Sequence, residues 1–476
     1  MQKSKKKFKL ALVSLPVNEY RFSLIGLVAI ATYIDQNMKD VEVKVIDNAF
    51  ENISKKLSEF QPDLIGLSTF TAYYYDTINF AKKVKEKNPL VKIVVGGPHI
   101  NSEHDSLDKI FDAGVIGEGE KTLLELINTI RKGKNFDNIP GVIFHKNGRL
   151  KINKKRELDS ILKLKLNYKF LHKDYFKKRF LPETSCFGVA MGIMSSLGCP
   201  FNCRFCAIRS CWDKIRFREA REIVNEIKDL YYNYGVRHMD FFDDLFSVNK
   251  KRLNEIYDLL KKDGLIGKIS FACQARANMM DDEIGEIFQK LNMVTVMFGF
   301  ESGSDRVLKY IKNDLSLSVD INKRAISVCQ KYGLNVYGSL MMGIPGEKLD
   351  DMQKTINFIN FGKKHGVGRL WTQVLVPMPG TEMWEIVKER GKLQGDMYSG
   401  KITMHSQEKP LLLDSDVSYK EFLKKYNIAT KKCRSFVYKL VLKTIRKNPL
   451  SIFYFAKDFF FYLKRTINFL KHKPIN

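Results

Sequence analysis

The chain has 476 residues, ample apolar material at 44%, and 80 Lys and Arg against 53 Asp and Glu for a formal net charge of +27. That length exceeds a single hydrophobic core and calls for two or three domains. Eight cysteines scattered without a secretory segment do not read as a disulfide framework and place the protein in a reducing cytoplasm, and no apolar run is long enough to span a bilayer.

Phe8 to Leu15 is an apolar run closed by Pro16, Val41 to Asp47 alternates, and Leu64 to Ser68 and Lys92 to Gly97 are shorter runs closed by small residues. Amphipathic stretches of helical length lie between them, near 25–38, 50–60 and 74–88. This alternation predicts a doubly wound, Rossmann-like parallel sheet over residues 1–150. Such sheets bind ligands beyond the carboxyl ends of their strands, where Ser68-Thr69, Gly96-Gly97-Pro98-His99 and Gly117-Glu118-Gly119-Glu120 fall. No G-x-G-x-x-G follows the first strand, which speaks against a nicotinamide or flavin. These residues alone imply a nucleotide-sized ligand, or a degenerate fold whose site is lost. Residues 151–190 are Lys-rich and weakly periodic, a connector packed over the next domain.

A second series begins at residue 191. Its strands are expected at 191–196, 237–242, 269–274, 294–300, 335–341 and 369–375, with helices between them, which makes 191–395 a partial (β/α)6 barrel. Barrel chemistry sits at the carboxyl ends of strands, and there the chain carries Asp243-Asp244, Gln274 and Arg276, Glu301-Ser302-Gly303 and Gly343 to Glu347. Between the first two strands stand Cys199, Cys203 and Cys206 at the spacing C-x-x-x-C-x-x-C. Gly198, Pro200 and Asn202 favour a turning loop, so the thiols can converge on one iron–sulfur cluster. Three thiolates leave one iron of a 4Fe-4S cluster open to a small molecule. The alternative, a zinc knuckle, needs a fourth ligand, and Cys211 is the only nearby candidate, at a spacing unusual for zinc.

The cysteine triplet with Phe205 before its last member, together with Phe241-Phe-Asp-Asp-Leu-Phe246, Phe298-Gly-Phe-Glu-Ser-Gly-Ser-Asp305, Met342-Gly-Ile-Pro-Gly-Glu347 and Pro377-Met-Pro-Gly-Thr-Glu382, resembles the radical S-adenosylmethionine enzymes of the cobalamin-dependent class. Pro16, Leu24-Ile-Gly-Leu, Pro62-Asp-Leu-Ile-Gly-Leu-Ser68, Val94-Val-Gly-Gly-Pro-His99 and Gly117-Glu-Gly-Glu120 are similar to the cobalamin-binding domain at the amino end of that class. The resemblance implies that Cys199, Cys203 and Cys206 hold the cluster, whose open iron takes the amino and carboxylate groups of S-adenosylmethionine. It implies that Phe205 flanks the adenine, Asp243 is near the amine, Arg276 meets the carboxylate, Glu301 the ribose, and Ser339 the adenine pocket. Cobalamin would lie against Ser68, Thr69, Gly96, Gly97, Glu118 and Gly119. The D-x-H-x-x-G signature that places a histidine on cobalt is absent, so the lower cobalt face is expected to carry no such histidine, with His99 part of the loop pattern instead.

Beyond Gly395 the barrel pattern ends, and 396–476 reads as a helical segment broken near Pro410 and Pro449. Its aromatic run from Ser451 to Arg465 suits either a helix packed over the barrel mouth or one lying on an anionic membrane surface through Lys457, Lys464, Arg465 and Lys471. The function that the resemblance implies is methylation of an unactivated carbon through a 5′-deoxyadenosyl radical and methylcobalamin. A small or lipid-like substrate and an external electron donor such as ferredoxin or flavodoxin would be the partners. Rivals are a cyclase or rearrangement enzyme with the same domains, and a nucleic-acid-binding protein with a structural cluster. The lysines are scattered, without an arginine-rich block or an ordered aromatic platform, so nucleic acid is not expected.

Overall fold

The computed structural model describes residues 7–15, 24–158, 164–181, 186–391 and 417–447. Strands β1 (Phe8–Ser14), β2 (Val41–Asp47), β3 (Leu64–Ser68), β4 (Lys92–Gly96) and β5 (Ala113–Val115) run parallel in the order β2-β1-β3-β4-β5. An antiparallel hairpin, β6 (Val142–Lys146) and β7 (Arg149–Ile152), extends the β5 edge. The pleat sends Leu10 and Leu12 to the face covered by α1 (Ile25–Asn37) and α5 (Gly119–Arg131). Ala11 and Val13 go to the opposite face with α2 (Ile53–Phe60) and α3 (Tyr74–Lys87), so both faces of the sheet are buried. The strand order reverses direction between β1 and β3, which opens a crevice at their carboxyl ends. The short helix α4 (Pro98–Ser102) follows β4 at that end.

The connector ties the two domains together. Asn167 N donates to Thr32 Oγ1 at 3.0 Å and Tyr175 Oη to Asp47 Oδ2 at 2.6 Å on the first domain, while Tyr168 Oη donates to Glu226 of the second.

The second sheet runs in the order β8 (Arg179–Leu181), β9 (Cys186–Ile193), β12 (Val236–Phe241), β13 (Ser270–Ala275), β14 (Met293–Glu301), β15 (Asn335–Met342) and β16 (Arg369–Val374). All but β8 are parallel, and each strand after β9 is laid beside the preceding strand of this sheet, the order of a partial barrel rather than a doubly wound sheet. Between β9 and β12 lie the ribbon strands β10 (Ser196–Leu197) and β11 (Arg216–Phe217), the one-turn helix α6 (Ile208–Cys211) that they bracket, and α7 (Ala220–Tyr234). The crossovers that follow are α8 (Lys250–Lys262), α9 (Asp282–Lys290), α10 (Asp305–Lys312) with α11 (Val319–Lys331), and α12 (Leu349–Lys364). Their starts are written locally: Asn249, Asp281 and Ser318 accept the N–H groups of Arg252, Ile284 and Ile321 at the first turns of α8, α9 and α11.

After β16 come α13 (Glu382–Glu389) and α14 (Tyr419–Lys447). The latter covers the open edge of the barrel: Phe422 and Ala429 are buried in the main core, Thr372 and Thr430 share a hydroxyl hydrogen bond of 3.1 Å, and Lys425 and Lys432 reach Gln353 and Asn360 on α12. The aromatic run expected at 451–465, with Lys457, Lys464, Arg465 and Lys471, lies outside the described residues. Among the described residues no helix is long and apolar enough to cross a membrane.

Candidate functional site

The cysteine loop hangs between β10 and β11, which close its base as a two-residue ribbon. Its first turn needs glycine: Gly198 has φ +87°, and a Cβ there would stand 2.8 Å from the Lys214 carbonyl oxygen. Cys199, Cys203 and Cys206 are half-buried free thiols. The Phe201 and Ile208 backbone N–H groups face the sulfurs of Cys199 and Cys206, and Arg276 Nη1 donates to Cys203 Sγ at 3.3 Å. Burial pushes the Cys206 thiol up to about 12 and raises that of Cys199, so both sulfurs stay protonated at neutral pH until a positive centre displaces the proton. Sulfur donors on one turning loop, met by N–H groups, fit an iron–sulfur cluster. Among the described residues no three His, Cys, Asp or Glu side chains converge on a single metal ion, and the three thiols are read as ligands to separate irons of one cluster rather than to one ion.

The acidic pair after β12 carries this loop. Asp243 is fully buried, and its carboxylate accepts from Ser195 N at 2.6 Å and from the hydroxyls of Ser195 and Ser196. The resemblance sets Asp243 near the amine of S-adenosylmethionine; in the structure protein donors occupy both of its oxygens. Asp244 takes the Gly198 N–H at 3.0 Å through Oδ2, and burial raises its carboxyl to about 6. It is the acidic side chain of the pair beside the cysteines. Around the barrel mouth, Arg276 is held by Asn278, Asp314 and Cys203. Glu301 adopts a left-handed backbone at φ +62°, beside a register shift of β14 against β15, and its carboxylate meets Lys312 Nζ at 3.1 Å. Gly299 makes room for it, since a Cβ there would lie 2.0 Å from Glu301 Oε1. Ser339 lies half-buried in β15, opposite Gly299 and Trp371.

Facing the cysteine loop, a cavity of about 700 Å³ occupies the crevice between the domains. Its first wall is the carboxyl edge of the amino-terminal sheet, with Ser68, Gly96, Gly97, Glu118 and Gly119, backed by Ile25 and Ile30 of α1. Its second is the cysteine loop, with Phe205, Cys206, Cys211 and Trp212. Gly97, at φ +97°, has no space for a Cβ, which would come within 2.8 Å of Ser68 Oγ and of the Thr69 carbonyl, so the backbone itself forms the floor. Apolar walls on a glycine cradle fit a corrin with its nucleotide tail. Thr69 is a departure from expectation: it is fully buried, its hydroxyl pairs with Thr77 at 2.9 Å, and it is not among the lining residues. His99 is likewise withdrawn from the cavity, with its ring nitrogens on Thr71 and Ser106 and its basicity lowered to about 4 by burial.

Sequence reasoning missed the seam that closes this cavity. Arg216 donates to Glu118 at 2.6 Å, Arg218 lines the cavity and pairs with Glu226, and Ser102 meets Ser210 at 2.6 Å. Two arginines in alternation just after a cysteine loop were the available signal; the Arg216 partner, Glu118, stands 98 residues earlier, whereas the Arg218 partner, Glu226, is on the adjoining α7.

The radical SAM superfamily model matches residues 193–359, and the B12 binding domain model matches residues 17–127. An uncharacterized methyltransferase of Pyrococcus horikoshii is 32% identical over 372 residues, covering 76% of this chain and 77% of its own. A cytidylyl-2-hydroxyethylphosphonate methyltransferase of Streptomyces wedmorensis is 24% identical over 65% of this chain and 64% of its own. In fold, the chain is similar to the radical S-adenosylmethionine methyltransferase TsrM from Kitasatospora setae, solved with cobalamin and a 4Fe-4S cluster bound, at TM-score 0.65 and 18% identity over 80% of this chain and 75% of that one. The chain belongs to the radical S-adenosylmethionine enzymes that carry an amino-terminal cobalamin-binding domain. A 4Fe-4S cluster, S-adenosylmethionine and cobalamin are the cofactors of this family, and a substrate and a reductant are its general requirements.

Proposed function

We propose that this enzyme methylates an unactivated carbon of a small or lipid-like substrate, with electrons from an external donor such as a ferredoxin or flavodoxin. The observation that supports the reading is a cavity walled on one side by the glycine cradle and on the other by the cysteine loop, a space that a methyl carrier and a radical source would share. When bound, the cofactors supply radical generation at the substrate and the methyl group. The chain's own residues hold and line the site: Cys199, Cys203 and Cys206 anchor the cluster, and Asp243 fixes the entry of their loop through Ser195 and Ser196. Asp244, whose Oδ2 is on Gly198, offers its other oxygen to the amine of S-adenosylmethionine. Ile25, Ile30 and Trp212 give the space between an apolar wall.

Anaerobically reconstituted protein, incubated under reduction with methyl-labelled S-adenosylmethionine and candidate substrates, tests this. Label on a product carbon is expected. Substrate turnover with 5′-deoxyadenosine formed and no label in the product would establish cyclisation or rearrangement instead.

A further inference from the structure

We propose that Arg276 acts through Cys203 to set the potential at which the cluster accepts an electron. The inference rests on the cluster assignment above. Every nitrogen of the Arg276 guanidinium has a protein acceptor: Nε donates to Asn278 Oδ1 at 3.1 Å, Nη2 to Asp314 Oδ2 at 2.9 Å, and Nη1 to Cys203 Sγ at 3.3 Å. Its face lies 3.9 Å from the centre of the Phe201 ring, and the residue is 7% exposed. One rigid group at the end of β13 thus touches the cysteine loop twice, on a ring and on a sulfur, with three of its five N–H donors committed to protein acceptors.

The electrostatic consequence follows. Arginine keeps its charge at every accessible pH, and its planar fork is poorly hydrated once buried. A positive charge and an N–H bond on a cluster sulfur stabilise the more negative, reduced form and raise the potential. Asp314 sits on the other arm of the same guanidinium and opposes it. The pair therefore predicts opposite effects: removing the cation lowers the potential, and neutralising the anion raises it. A residue that merely braces the loop would alter cluster content without this reversal of sign.

The test is a potentiometric titration of anaerobically reconstituted wild type, Arg276→Gln, Arg276→Lys and Asp314→Asn, without S-adenosylmethionine, after iron and sulfide have been quantified. The titrant passes one electron to the cluster and no covalent bond changes, so the electron paramagnetic resonance signal of the reduced form reads the ratio directly. At the wild-type midpoint, Arg276→Gln should show about a tenfold smaller ratio of reduced to oxidised cluster, which for one electron is a shift of about 59 mV downward. Asp314→Asn should move upward, and Arg276→Lys should recover at least half of the loss. An unchanged midpoint at equal cluster content overturns the inference. If Arg276→Gln holds no cluster, the Asp314→Asn midpoint decides: upward supports, unchanged overturns. A wild type that takes up no iron or sulfide fails the functional reading itself, and that result is known before any potential is measured.

Discussion

Glu118 and Arg216 meet at 2.6 Å across the seam between the two domains, and their side chains are only 7% and 11% exposed. Glu118 precedes α5 on the cobalamin-domain side, and Arg216 closes the cysteine-loop ribbon. Breaking a buried pair from one side strands the other charge, whereas replacing both removes the penalty. Glu118→Gln and Arg216→Met should each destabilise the protein by about 3 kcal/mol, and the double variant should cost clearly less than their sum. Urea denaturation of the four proteins measures the coupling, and additive losses would show that the seam does not depend on this pair.

Asp243 turns the second barrel strand into a clamp for the metal loop. An Asn there presents an NH2 group to three donors and leaves some of them buried without an acceptor, at about 1–3 kcal/mol each. Asp243→Asn should lose more than half of its reconstituted iron while Asp244→Asn retains most of it, because Asp244 accepts one backbone N–H and Asp243 accepts three donors. Iron and sulfide analysis compares them. Equal iron in Asp243→Asn and wild type would remove the clamp role.

The barrel strands were legible because each is an apolar run bounded by an amphipathic helix, and β12 to β16 begin within a residue of where their pattern places them. The hairpin β6–β7 and the ribbon β10–β11 were not: strands of two to five residues carry too little alternation to be distinguished from loop. The site was half legible. Polar residues just past a strand end can be named from sequence, but which of two neighbours points inward cannot, since successive side chains leave an extended backbone on opposite sides. Asp243 and Asp244 illustrate this, and so do Ser68, which lines the cavity, and Thr69, which turns in to Thr77. The Glu118–Arg216 seam is a product of domain docking, and no local pattern encodes it.

Cys203→Ala, Cys199→Ala and Cys206→Ala should each abolish the stoichiometric cluster, and Cys211→Ser should keep it. Cys211 lines the cavity, and its thiol is hydrogen-bonded to Asn101 and Ser210 at the domain seam. Mössbauer and visible absorption spectra after reconstitution separate the variants, and a full cluster in Cys203→Ala would sink the assignment.

α14 belongs to the barrel core through Phe422, which is 1% exposed. Truncation of a buried Phe costs about 3–5 kcal/mol, so Phe422→Ala should unfold at markedly lower denaturant, whereas the exposed Ile428→Ala should change little. Comparable midpoints for the two would mean that the helix does not seal the sheet edge.

Glu120 lines the cavity at 6% exposure, and burial pushes its carboxyl from 4.5 up to about 7. Its protonated form is the one the fold accommodates. Below pH 4.5 both folded and unfolded chains carry that form, so Glu120 costs nothing. As pH rises the unfolded chain ionises first, the folded chain retains its proton, and stability is lost until the folded group also ionises near pH 7. A shift of this size corresponds to about 3 kcal/mol at most. Glu120→Gln carries no such charge, so its stability relative to wild type should grow in the variant's favour from pH 5 to pH 8 and level off above. Denaturation of the cofactor-free proteins across that range reads the difference, and a gap that does not change with pH would show that the Glu120 carboxyl is not held in its protonated form by the cavity.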